Sequence, residues 1–399
     1  MRFLRTYRKS IKLEVLTSVL LILATVAALF MYNTPFRAIY KYIFEEIYII
    51  NNFSLHMFIN DFLMAIFFLV AGLEIKHEIL HGNLSSFKKA SFPVIASLGG
   101  VIIPAIIFIL LNKETPFLSG FCIPISTDIA FAVGVFLIFS KKLNPSLKIF
   151  LLSLAVVDDL MSILAIGIVY SIDVNLLYLL IALIIVLTLT IANRVFKITS
   201  IYYYLTAGLC LWYFIYLSGV HSTISGVLLA LTIPAKHSNG ASTLEKMQKV
   251  LVPFNSLVII PLFAFANTGI SLMYNVDISN ANSLVYGIVL GLCIGKPLGI
   301  MLFSYIGCCL KITEKPSNIS WTAVFLVSLI AGIGFTMSIF VSEIAFIHNM
   351  TLVNIAKMSI LMSACISILS SIIAISFIDI KLKLKIKNHS SIVNKYYIS

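Results

Sequence analysis

The sequence predicts an all-α polytopic membrane protein of twelve transmembrane helices, and three observations carry that prediction. Of 399 residues, 60% are hydrophobic and 11% charged, whereas soluble domains carry about half apolar and about a quarter charged residues. The apolar residues gather in runs that reach the roughly 20 helical residues needed to cross a hydrocarbon core. The 28 Lys and Arg crowd into alternate connections between those runs, as loops on the two sides of a membrane do. That alternation explains the net charge of +12 without a basic face for nucleic acid, so no nucleic-acid partner is expected. Disorder and a disulfide scaffold are excluded as well: the six cysteines lie in or beside apolar runs and read as small buried hydrophobes.

The elements follow in order. A basic arm, residues 1–12, leads into the first run at 13–32. Ala24 and Ala27 resemble a signal-peptide cleavage site, but with eleven further runs behind it this segment reads as an uncleaved helix. Residues 33–56 form an outer loop, in which Phe36 to Asn52 alternates aromatics and charges too irregularly for a span and is expected as a β-hairpin. The next runs lie at 57–79, 91–111, 119–139, 147–170 and 175–193, then at 201–217 and 219–235. Runs at 252–273, 284–306, 320–345 and 352–379 complete the set, and 380–399 form a basic tail. With the N-terminus inside, the basic connections fall on the cytoplasmic face and leave Arg37, Lys41 and Lys113 outside. Both termini are therefore expected in the cytoplasm of one multi-pass transmembrane domain embedded in lipid.

A charge at the centre of a spanning helix costs roughly 2.5 to 3.5 kcal/mol on insertion scales, so it needs a partner, water or a transported ion. At 1.5 Å per residue, Asp158 lies about 17 Å from the start of its run at Leu147, Asp128 about 14 Å from Ser119, and Lys296 about 18 Å from Leu284. All three fall near the middle of a core about 30 Å thick. Asp158 and Asp159 are adjacent, so their side chains diverge by roughly 100° and one can meet a cation while the other meets Lys296. Desolvation and the second carboxylate favour the neutral acid, which makes the pair a place where a proton and a cation compete.

Two runs are broken where a helix would continue. Pro124-Ile125-Ser126-Thr127-Asp128 interrupts the fourth and Gly332-Ile333-Gly334-Phe335-Thr336 the eleventh. Unwound backbone at such depth survives only where it is buried or lines a cavity, and it leaves half-helix ends with partial charges. Asp128 is suited to the positive ends and Lys296 to the negative ones. Spans 3 to 5 and 10 to 12 run in opposite senses, each with its broken member in the middle. This is the pattern of an inverted repeat around a midplane site in a secondary transporter.

The residues resemble the NhaA-type sodium/proton antiporters. The matching strings are Ile59-Asn60-Asp61 leading into Met64 to Phe68 and Gly72-Leu73-Glu74; Thr127-Asp128-Ile129-Ala130-Phe131-Ala132; Val157-Asp158-Asp159-Leu160; and Ser218-Gly219-Val220-His221. Pro261 to Asn267, Gly295-Lys296-Pro297-Leu298-Gly299 and Gly332 to Ser338 complete a series that runs in family order over nearly the whole chain. The family itself exemplifies the inverted repeat with a midplane site, so the two readings are not independent. The resemblance implies a bacterial inner-membrane exchanger, not an enzyme, that expels Na+ or Li+ for more than one proton and so consumes membrane potential. It implies no cofactor beyond the transported ions, a part in pH homeostasis, and a homodimer formed through the outer hairpin. Carried over, Asp158 and Asp159 are the ion and proton site with Thr127 as a ligand. Asp128 and Lys296 compensate the ends of the crossed, broken helices, and Lys296 pairs with Asp158 and shares its proton. Asp61, Glu74, Glu78 and His221 are pathway or pH-response residues.

The sequence departs from the family in two places. Met161 stands where a Gly is expected two residues after the acid pair. Before the ninth span, Met247-Gln248-Lys249 replaces Leu-Glu-His and Val252-Pro253-Phe254 replaces His-Pro-Trp, so the acid and imidazole linked to pH activation are missing there. Two rival readings stay open. Another proton-coupled exchanger or a channel would also hold a buried acid pair. His77-Glu78-Ile79-Leu80-His81 matches H-E-x-x-H, the zinc motif of metalloproteases, but it ends a span at Gly82 and no Asp in the chain precedes a Gly.

Overall fold

The computed structural model describes residues 2–50, 53–82, 84–138, 145–171, 174–235, 242–271, 281–316 and 318–396. The chain forms helices α1 (Arg2–Tyr32), α2 (Leu55–His81), α3 (Phe87–Asn112), α4a (Leu118–Ile125, wound as a 3-10 helix) and α4b (Ile129–Ile138). They continue as α5 (Pro145–Val169), α6 (Leu176–Arg194), α7 (Ile201–Leu217), α8 (Ile224–Thr232), α9 (Thr243–Asn267) and α10 (Asn282–Cys309). The series ends with α11a (Trp321–Ala331), α11b (Phe335–Ala345) and α12 (Met350–Tyr396). Among the described residues, nine helices are long and apolar enough to cross a membrane, or ten with the bent pair α11a and α11b taken as one span. The protein is an all-α polytopic membrane protein.

Local chemistry sets several helix ends. Asn175 accepts from the Leu177 amide at the start of α6, and Ser320 accepts from the Ala323 amide at the start of α11a. Ser242 and Glu245 exchange side-chain to backbone hydrogen bonds in a capping box that starts α9. That box begins α9 nine residues ahead of the expected start at 252, and the helix ends at Asn267. The end expected at 273 lies outside the described residues.

Two expectations are adjusted. The seventh run is a helix over the expected residues, α7, whereas the eighth, α8, has only 9 residues. The expected start of the eighth at 219 is a turn, with Gly219 at φ 78°, a conformation that glycine adopts without penalty. The stretch Phe36 to Asn52 is mostly helical, at Arg37–Lys41 and in a wide turn at Tyr42–Glu46. A short antiparallel hairpin, β1 (Tyr48–Ile50) with β2 (Phe53–Ser54), follows at its end, Tyr48 opposite Ser54. Both terminal segments are helical as far as described, the arm as the start of α1 and the tail as the continuation of α12.

Two packing features place the site. Helices α3 and α10 meet at Gly99 and Gly299, where a side chain on either glycine would overlap the other's carbonyl; small residues let helix backbones approach in a bilayer. The breaks of α4 and α11 meet as well. The α11 halves bend by 46° at residues 332–334, and the Asp128 amide donates to the Ile333 carbonyl at 2.8 Å. Ser338, one turn into α11b, donates to the Ile123 carbonyl of α4a at 2.8 Å. The unwound backbone of each break is thus satisfied by the other, as burial away from water demands.

Candidate functional site

Around this crossing the structure brings together five residues expected at the site, four of them from charge and depth and Thr127 from the family resemblance. Asp158 and Asp159 on α5, Thr127 and Asp128 in the α4 break and Lys296 on α10 are all 0 to 2% exposed. Lys296 Nζ lies 3.0 Å from Asp158 Oδ2 with both side chains fully buried. The same ammonium donates to the Ile125 carbonyl at 2.5 Å, the last residue of α4a and its negative end. Thr127 Oγ1 lies 2.7 Å from Asp158 Oδ2 and 3.1 Å from the Ala331 carbonyl, and its single hydrogen serves both.

Asp128 works at the opposite sign. Its Oδ1 accepts from the Phe131 amide at 2.9 Å, which caps α4b. Its Oδ2 accepts from the Thr336 amide at 3.0 Å and the Thr336 hydroxyl at 2.5 Å, which caps α11b. One carboxylate therefore sits on two helix N-termini, and one ammonium on a helix C-terminus. These are the placements in which a charge meets the half-helix dipoles favourably.

Asp159 is different. Among the described residues its Oδ1 is buried without a hydrogen-bond partner, and it lines a cavity of about 370 Å³. The cavity runs between the first half of α1, Phe67 to Glu78 of α2, the first half of α5 and Gln248 to Ile260 of α9, and ends at Asp159, Asp128 and Thr336. Its described lining holds five carboxylates, Glu14, Glu74, Glu78, Asp128 and Asp159, and no Lys or Arg. A low-dielectric cleft lined by one sign of charge concentrates ions of the other. Glu14 pairs with Lys148 at 2.6 Å.

Of the remaining predicted residues, two line the cavity and two do not. Glu74 and Glu78 form part of the cavity wall. Asp61 lies in the first half of α2, where Oδ1 accepts from the Ser222 hydroxyl at 3.3 Å. His221 sits in the turn before α8 with Nδ1 2.9 Å from the Thr223 hydroxyl and its ring edge-on to Phe340 at 5.5 Å. Neither touches the Asp158–Lys296 pair. Gln248 lines the cavity, and Met161 is half-buried two residues beyond the acid pair on α5. Glu343 and Lys357 form an ion pair away from this cluster. The rings of His77 and His81 are 5.5 Å apart, and among the described residues no three His, Cys, Asp or Glu side chains converge to hold a metal.

Ser97 escaped the sequence reading. Fully buried on α3, it donates to Asp158 Oδ1 at 2.5 Å. Its only signal is a hydroxyl two residues before Gly99-Gly100 in an apolar run, and serines are too common in these spans for that to stand out.

Comparison with known proteins adds an independent line. The sequence model of the family described as Na+/H+ antiporter 1 matches residues 8–375. The Na(+)/H(+) antiporter NhaA of Helicobacter acinonychis is 42% identical over 374 residues, covering 84% of this chain and 85% of that protein. NhaA 2 of Aliarcobacter butzleri is 42% identical over 381 residues, covering 91% and 94%. NhaA of Actinobacillus pleuropneumoniae is 39% identical over 350 residues, covering 86% and 89%.

Proposed function

Since the chain belongs to the Na+/H+ antiporter 1 family, we propose that it expels Na+ or Li+ across a bacterial inner membrane in exchange for protons at Asp158 and Asp159. The observation that carries this reading is the inequality of the two carboxylates. Asp158 is held by Lys296, Thr127 and Ser97, whereas Asp159 keeps a buried oxygen without a partner among the described residues, in the wall of an acidic cavity. A buried carboxylate oxygen in that state is suited to a proton or a small cation, and two hard oxygens with the Thr127 hydroxyl make an oxygen-only ligand set for an alkali ion.

The exchange follows from competition. A cation arriving from the cavity replaces the proton on Asp159 and draws on Asp158, which loosens its pair with Lys296 and releases a second proton from the coupled unit. More than one proton then moves per cation, so each cycle carries net charge and draws on the membrane potential. With both termini in the cytoplasm, the cavity opens inward, the direction from which an exported ion must enter. Alternating access arises as the crossed breaks of α4 and α11 shift within the inverted repeats and expose the site to the other side. Asp61 and His221 lie on the outer part of that path and Glu74 and Glu78 on the inner. The neutral Gln248 in the cavity wall departs from the family's acid there and supports a pH response unlike that of relatives with the acid. The outer hairpin β1–β2 is the proposed contact of a homodimer.

The test is dequenching of a pH-sensitive dye in everted vesicles when Na+ or Li+ is added. Exchange predicts proton movement that Asp159→Asn abolishes. Silence with every alkali cation defeats the exchanger, and activity that persists in Asp159→Asn defeats the site.

A further inference from the structure

Ser97 differs from many of the buried serines of the bundle in where its hydroxyl points. Buried hydroxyls on the helices of this protein commonly turn back on their own helix: Ser225, Ser342, Ser359 and Ser371 each donate to a carbonyl three or four residues earlier. That arrangement satisfies a serine in an apolar setting without any partner from outside. Ser97 instead reaches from α3 to α5 and donates to Asp158 Oδ1.

The other two donors on this carboxylate, Thr127 and Lys296, lie on Oδ2, and each is divided with a backbone carbonyl, Ala331 for one and Ile125 for the other. Turning the carboxylate about its last bond stretches these two divided contacts, which allow it a limited swing. A donor on the second oxygen narrows that swing. The platform beneath Ser97 is also fixed, because two residues on Gly99 is locked against Gly299.

We propose that Ser97 is a positioning residue for cation binding. By holding Oδ1 it keeps the Asp158 carboxylate in one orientation beside Asp159, so the ligand set is assembled before the ion arrives. It acts through Asp158 and not by touching the ion. The inference rests on the exchange reading and extends it to a residue that charge and depth do not reveal.

The experiment uses purified full-length protein in proteoliposomes, with Na+- and Li+-driven proton flux measured at an alkaline pH where the wild-type rate no longer changes with pH. Ser97→Ala is expected to raise KM for both cations roughly tenfold, a factor that corresponds to about 1.4 kcal/mol. The maximal rate should stay within about twofold of wild type, the split expected when only binding is weakened. Ser97→Cys, close in size with a much weaker donor, should behave like Ser97→Ala, and Ser97→Thr, which keeps the hydroxyl, should restore KM. If Ser97→Ala fails to reach the membrane, the Cys and Thr variants carry the comparison. Unchanged KM in Ser97→Ala and Ser97→Cys overturns the proposal, as does a loss of maximal rate with KM constant. A wild type that moves no protons with either cation overturns the exchange reading itself, whereas normal wild-type exchange with unaltered variants overturns the role of Ser97 alone.

Discussion

Asp158 and Lys296 form an ion pair at 3.0 Å with neither side chain exposed, and they come from helices 138 residues apart in sequence by the difference of their numbers, 296 − 158. Removing one partner from such a pair leaves the other charge stranded, which costs about 3–5 kcal/mol, while replacing both by uncharged groups of similar size is often neutral. Lys296→Met is therefore expected to melt at a clearly lower temperature in detergent, and the double variant Lys296→Met with Asp158→Asn to regain most of that loss. A double variant no more stable than Lys296→Met would show that the pair does not behave as a unit.

Asp128 offers a second test of stability, separate from ion exchange. Its two oxygens cap α4b and α11b together, and a cap replaced by Ala typically costs about 1 kcal/mol. Asp128→Ala should lose about 2 kcal/mol from the two caps combined, read as a lower melting temperature and lower membrane abundance. Asp128→Asn, itself a good capping residue, should lose less. Equal melting of Ala and Asn variants would contradict the double-cap account.

The proposed competition for one site carries a pH dependence, because a cation entering at low pH must displace protons from it. By linkage, KM for Na+ should fall roughly tenfold per pH unit for each proton displaced, and level off once the site is free of protons. Initial rates across a matrix of pH and Na+ concentrations measure this directly. A KM constant from acid to alkaline pH would rule out a shared site.

These outcomes also separate what the chain announces from what it conceals. Asp128, Asp158, Asp159 and Lys296 are visible in the sequence because a charge in an apolar run has no cheap location, so its presence already implies a partner. Ser97 is invisible because a serine can satisfy itself on its own helix, and nothing in the residue type says that this one does not. The short α8 is concealed for another reason. The apolar stretch from Val227 carries the hydropathy of residues 219–235, which does not register that Gly219 takes a positive φ and that the turn with His221, Ser222 and Thr223 delays the helix to Ile224. The outer segment misled in the opposite direction: its alternating aromatics and charges suit a strand, yet Arg37 to Glu46 wind into helical turns, where Tyr40 is buried and donates to the Phe265 and Ala266 carbonyls. A long-range contact overrode local pattern there.

The last prediction concerns the end of the molecule away from the cavity. Asn60 and Asn267 exchange two hydrogen bonds, Asn267 Nδ2 to Asn60 Oδ1 at 2.8 Å and Asn60 Nδ2 to Asn267 Oδ1 at 3.2 Å, with His56 Nε2 3.1 Å from the same Asn267 oxygen. Asn60 lies in the first half of α2 and Asn267 at the end of α9, whereas the cavity lining spans Phe67 to Glu78 of α2 and Gln248 to Ile260 of α9. The amide pair therefore joins the same two helices on the side of the site that the cavity does not reach. If the site opens alternately to the two sides, α2 and α9 must separate at this point when it faces outward. A double variant, Asn60→Cys with Asn267→Cys, should exchange ions when reduced, stop when an oxidant joins the thiols, and recover with a reductant, while each single variant ignores the oxidant. Continued exchange by cross-linked protein, with the bond verified by mass spectrometry, would mean that the outer path does not run between these helices.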